Sequence, residues 1–138
     1  MPNVVYDTRF FIEHYYSARE DVQRKTKLEL IANKSKFVSV ISLHEIFRLT
    51  LSKEGRETAE LRVNLISKDF KVVDVDLPIA VRAAEIRHGI SIPMADSIIA
   101  ATCSALKGTC ISDALILTGF QACPRDGSEH QRFELPGM

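Results

Sequence analysis

The sequence predicts an α/β protein built on a mainly parallel sheet covered by helices on both faces. Short apolar runs rich in β-branched residues alternate with longer stretches of helical periodicity. No two of the first four strand-like runs are joined by a two-residue turn, which leaves crossover connections as the way to place them in one sheet. Acidic residues also recur where apolar runs give way to a helix or turn: Asp7, Glu45, Asp96 and Asp113. In an open α/β sheet such switch points meet at one crevice.

The elements follow in order. Residues 3–6 read as a short buried strand, after which Phe10, Phe11, His14 and Tyr15 recur at helical spacing. From Glu20 to about Lys34 a charged pattern carrying Val22, Leu28, Leu30 and Ile31 predicts an amphipathic helix. Residues 37–41 read as the second strand. Ser42 and Glu45 have capping-box spacing and open the next helix, followed after Gly55 by a helix from Arg56 to about Lys68. The run KVVDVD gives a third strand, and Asp76 before Leu77-Pro78 is placed to cap a helix that Gly89 stops. MADSIIAATCSAL is a helix of small residues suited to close packing on a sheet, and TCIS is the fourth strand. RFEL offers a possible fifth, after a polar loop spanning residues 121–130. Nothing resembles a linker, so residues 1–138 are expected to form one domain.

Composition narrows the function classes. Lysine plus arginine equals aspartate plus glutamate at 18 each, so no global field advertises a nucleic-acid partner, although an acidic pocket can mask basic residues in that sum. Walker A, G-x-G-x-x-G and G-x-S-x-G patterns are all absent. His14 and His44 lack zinc-site spacing and read as structural or peripheral. Cys103, Cys110 and Cys123 form no C-x-x-C and read as small apolar residues. With no stretch of the length or flanks of a membrane span or signal peptide, the expectation is a cytoplasmic protein.

Each of the four acids has an ordinary explanation. Asp7 could cap the first helix, Glu45 could complete the capping box, Asp96 could answer the helix dipole, and Asp113 could belong to a turn. The functional case rests on the set, because four carboxylates at one sheet edge repel unless a divalent cation joins them. Clustered carboxylates without His or Cys suit Mg²⁺ or Mn²⁺, hard cations that prefer oxygen and retain water. Arg9, close to Asp7, and Arg48, one turn beyond Glu45, are candidates for phosphate contact. Lys34, Lys36, Arg82, Arg87 and Lys107 are further candidates for a phosphate track. Phe10, Phe11, Tyr15 and Tyr16 exceed what a small core needs and suggest a homodimer or partner contact.

Three segments carry a family resemblance. VVYDTRFFIEHYY resembles the opening strand and helix of a PIN domain, ISLHEIFRLTL its Glu-bearing helix, and IPMADSIIAATC its most recognisable segment. The similarity covers roughly Val4 to Asp113, and the segment from about residue 114 departs from the family pattern. The resemblance implies a three-layer α/β/α sandwich with four or five strands. It implies a metal-dependent ribonuclease, often the toxin of a VapBC-type toxin–antitoxin pair. Asp7, Glu45, Asp96 and Asp113 would hold Mg²⁺ or Mn²⁺, and Thr8 would orient a carboxylate or water. The alternative is a catalytically silent PIN-like scaffold binding RNA or protein. A phosphoacceptor receiver domain is disfavoured, because Asp7-Thr8 lacks the paired acids that such a site uses after its first strand.

Overall fold

A computed structural model describes residues 3–32 and 35–112. Four strands, β1 (Val4–Tyr6), β2 (Lys36–Ser39), β3 (Lys71–Val73) and β4 (Thr109–Ile111), form one parallel sheet in the order β3-β2-β1-β4. Six helices connect them: α1 (Thr8–Tyr16), α2 (Glu20–Ala32), α3 (Val40–Glu54), α4 (Arg56–Asp69), α5 (Leu77–Gly89) and α6 (Met94–Leu106). The possible fifth strand, the 121–130 loop and Lys34 lie outside the described residues.

Alternation along the strands divides the core into two layers of contact, as a period of two requires. Val4, Tyr6, Val38 and Ile111 pack with Phe10 and Phe11 of α1, Leu43 and Ile46 of α3 and Ile66 of α4. On the other face Val5, Phe37 and Cys110 meet Ile99 and Cys103 of α6, and α5 closes over α6 through Ile79, Ala83 and Ile86. Helices therefore cover both faces. Phe10 and Phe11 correct the expectation of a spare aromatic surface, since both are buried in rings of edge contacts with Tyr6 and Phe70. Burying each such ring contributes about 3 kcal/mol, a strong reason for the core to claim them.

Two local signals act as the sequence suggests. The Asp76 carboxylate accepts the Ile79 amide at 3.0 Å and caps α5, with Pro78 beside it. In α6, the buried hydroxyls of Ser97 and Thr102 bond to carbonyls of their own helix, Met94 and Ile98, which satisfies them without a partner on the sheet. The third strand is shorter than KVVDVD, because Asp74 and the residues to Asp76 leave the sheet to reach the α5 cap.

Candidate active site

Asp7 emerges from the end of β1, the strand flanked by β2 on one side and β4 on the other. The chain order reverses across this strand, so Asp7 stands at the topological switch point of the sheet. Its backbone occupies the N-cap of α1, but the carboxylate makes no capping bond. The capping explanation for Asp7 is thereby lost. Instead, Oδ2 accepts the Ser112 hydroxyl at 3.2 Å, and Arg9 Nη2 lies 3.6 Å away on a side chain that is 60% exposed. An ion pair that long and solvated is weak.

The electrostatics of Asp7 are those of a charge held at a cost. Only 7% of the residue is exposed, and burial pushes its carboxyl above the usual carboxylate value. Arg9, the Thr8 amide and Ser112 oppose that shift, while the negative charge of Asp96 reinforces it. Asp96 is the third residue of α6, in the first helical turn as expected. Asp7 and Asp96, 89 positions apart in the chain, therefore feel each other's charge.

Glu45 reaches the same place by a different route from the one its spacing suggests. The N-cap of α3 is Ser39, whose hydroxyl accepts the Ile41 amide at 3.1 Å, so the helix begins before Ser42 and no Ser42–Glu45 capping box forms. Strand β2 runs directly into the helix without a loop. Glu45 thus sits in the second turn of α3, where Oε1 accepts the Thr8 hydroxyl at 2.6 Å. Thr8 is also 3.0 Å from the hydroxyl of Ser42. Ser42 and Ser112 are the partners that sequence reasoning missed, one hidden by its resemblance to a cap and the other by its turn-like setting.

Asp7, Thr8, Arg9, Glu45 and Asp96 line one cleft of about 610 Å³. His44 and Arg48 also border it, whereas His14 lies elsewhere with Nδ1 2.9 Å from Thr26. Of the other candidate cations, Lys36 is tied to Asp69 and to the Leu30 carbonyl, Arg82 pairs with Glu85, and Arg87 bonds the Ile92 carbonyl. Asp113 lies outside the described residues. Among the described residues, no three His, Cys, Asp or Glu side chains are gathered tightly enough to grip one ion by themselves.

The donor chemistry nevertheless fits a hard cation. The charged groups on the acidic side of the cleft are carboxylates, and Thr8 and Ser112 add hydroxyl oxygen. Cys110, whose titration feels both Asp7 and Asp96, has its thiol pushed up to about 12, chiefly by burial. It stays protonated at neutral pH and supplies no thiolate.

Comparison with known proteins agrees with this architecture. VapC20 of Mycobacterium tuberculosis, described as a Sarcin-Ricin loop cleaving toxin, superposes with a TM-score of 0.67 at 18% identity, covering 86% of this chain and 96% of that one. VapBC2 of Rickettsia felis, solved with a DNA fragment from its promoter, gives 0.63 at 15% identity over 85% and 92%. A toxin–antitoxin complex from Klebsiella pneumoniae gives 0.63 at 21% identity over 80% and 85%. Identities this low show the shared fold alone. No curated protein matches the chain. The PIN domain family matches residues 4–114, the span that contains every described strand of the sheet and every described wall of the cleft. With that match added to the parallel sheet and the acidic switch-point cleft, the chain belongs to the PIN domain family.

Proposed function

We propose that this protein is a Mg²⁺- or Mn²⁺-dependent endoribonuclease that hydrolyses RNA phosphodiester bonds, the toxin of a toxin–antitoxin pair. The supporting observation is the convergence of Asp7, Glu45 and Asp96, from three separate elements, on one cleft. Among the described residues the cationic contact to these carboxylates is the long one from Arg9. Asp7, Glu45 and Asp96, joined by Asp113, would hold the ion. Bound there, a divalent cation would supply charge neutralisation for phosphoryl oxygens and a lower pKa for water.

The chain's own residues prepare that chemistry. Thr8 fixes one oxygen of Glu45, and Ser112 fixes one oxygen of Asp7. Arg9 and Arg48 stand at the cleft to meet substrate phosphates. Attack from the water side leaves a 5′-phosphate and a 3′-hydroxyl. With Phe10 and Phe11 in the core, pairing with a second copy or an antitoxin would fall to surfaces such as exposed Leu28 and Ile31 of α2 and Leu61 and Leu65 of α4.

The deciding experiment is RNA cleavage with Mn²⁺ and with EDTA, using wild type and Asp96→Asn. Cleavage that requires Mn²⁺ and is lost in the variant is the expected result; cleavage that survives EDTA, or is unchanged in the variant, refutes the reading. One observation favours a second reading, a silent PIN-like scaffold: the described acids do not by themselves form a three-membered ion cluster. RNA or protein binding that is indifferent to Mn²⁺, without cleavage, would establish that alternative.

A further inference from the structure

Ser42 is fully buried, with 0% of its surface exposed, and lies in the first turn of α3. A buried helical hydroxyl ordinarily bonds back to a carbonyl of its own helix, as Ser97 and Thr102 do in α6. Ser42 instead reaches across to α1, where Thr8 Oγ1 is 3.0 Å away. Thr8, itself buried, is 2.6 Å from Glu45 Oε1. Proton counting then orders the chain of bonds. Thr8 carries a single hydroxyl proton, and the 2.6 Å contact with Glu45 Oε1 is the shorter of its two, so that proton goes to Glu45. The bond between the two hydroxyls must therefore use the proton of Ser42. Accepting it leaves the Thr8 oxygen more polarised and its proton better aimed at Glu45.

We infer that Ser42 is a positioning residue: through Thr8 it sets the orientation of the Glu45 carboxylate, holding Oε1 from behind and leaving Oε2 for the cleft. Ser42 touches neither substrate nor ion, and the inference rests on the metal-dependent reading given above. Partners of this kind behind a metal ligand typically change metal affinity by about 10- to 100-fold when removed. A mere pin between α1 and α3 would change stability and leave that affinity alone.

The test is Mn²⁺ titration followed by thermal unfolding on the full chain, for wild type, Ser42→Ala, Ser42→Cys, Thr8→Val and the Ser42→Ala/Thr8→Val double variant, each with an EDTA reference. The expected result is a roughly tenfold weaker Mn²⁺ midpoint in Ser42→Ala and a similar loss in Thr8→Val. The double variant should be no weaker than Thr8→Val, because Ser42 acts only through that hydroxyl. Ser42→Cys, nearly isosteric with a weak donor, should fall between Ser42→Ala and wild type, and it carries the test if Ser42→Ala does not fold. Wild-type Mn²⁺ binding with an unchanged midpoint in the Ser42 variants overturns the positioning role and leaves the nuclease reading standing. Additive losses in the double variant also overturn it. A wild type whose unfolding ignores Mn²⁺ overturns both.

Discussion

Helix α3 carries two glutamates with opposite fates. Glu54, at its C-terminal end, accepts the Tyr16 hydroxyl and also Arg62 at 2.8 Å, and these partners, Tyr16 foremost, hold its carboxyl below the usual range. Arg62 in turn bonds Tyr16 and stacks over Tyr15, 4.1 Å from the ring centroid. Glu45, nine residues earlier, shares its cleft with Asp7, a buried carboxyl held above the usual range. One end of α3 is therefore a finished polar network, and the other an accumulation of like charge. Folding alone explains the first. The second costs stability, which is how a site awaiting a positive ligand differs from a structural cluster.

The sharpest break of this comparison comes from activity. Asp96→Asn should reduce Mn²⁺-dependent RNA cleavage by about 100-fold, equivalent to about 3 kcal/mol of transition-state stabilisation, while far-UV circular dichroism remains that of wild type. An equally active variant would put Asp96 in the same class as Glu54. Next in size, Arg62→Ala should lower the Tm by about 5 °C and leave the cleavage rate and the Mn²⁺ midpoint unchanged. A loss of cleavage without loss of stability would mean that the two ends of α3 are not separate.

Asp7→Asn should do the reverse in EDTA and raise the Tm by about 3 °C, a common gain on relieving a destabilised functional position. The sign follows from the direction of the shift. With the folded-state pKa raised above 3.8, Asp7 adds stability below that value and loses it as the pH rises through the folded value, so the ionised form is a net cost at neutral pH. The advantage of the variant should therefore shrink on acidification. Added Mn²⁺ should stabilise wild type and not the variant. Differential scanning fluorimetry across pH, with and without the ion, reads both effects.

The smallest effect belongs to His14, which packs against Phe10 and Tyr15 and does not line the acidic cleft. Burial, together with Lys27 and Arg62, lowers its pKa below 6.5. Its contribution is fully present above 6.5 and fades as the pH falls toward the folded value. His14→Gln should accordingly flatten the dependence of Tm on pH just below 6.5, by roughly 1 to 2 °C. An unchanged slope would show that His14 titrates as it does in the unfolded chain.

Much of this arrangement is legible in the residues. Val4, Val5 and Tyr6 announce a buried strand, and the cap signal at Asp76 is used as written because nothing competes for its carboxylate. Local pattern fails where tertiary contact decides between equal candidates. Ser39 and Ser42 are both acceptable caps, and only the run of β2 straight into α3 makes Ser39 the cap and frees Ser42 to meet Thr8. The aromatic pair Phe10-Phe11 has a similar history, since periodicity marks it as apolar but cannot say whether a sheet or another molecule will cover it. At the cleft, spacing proposes Asp7, Glu45 and Asp96, and all three line it; the resemblance also marks Thr8, whereas the bonds made by Ser42 and Ser112 have no local signature.

The union of the first and last described strands bears on how the protein comes into being. Val4 pairs with Thr109, the Thr109 amide donates to the Asn3 carbonyl at 2.9 Å, and Gly108 passes so near that an added Cβ would lie 2.7 Å from the Asn3 oxygen. A contact spanning the chain in this way adds closure entropy and raises the contact order, which slows folding. During synthesis, a nascent chain still short of Gly108 lacks the strand that delivers Ser112 to Asp7. The acidic crevice is thus completed only as the far end of the domain clears the ribosome, and Gly108→Ala, by crowding that seam, should slow refolding from denaturant in stopped-flow measurements.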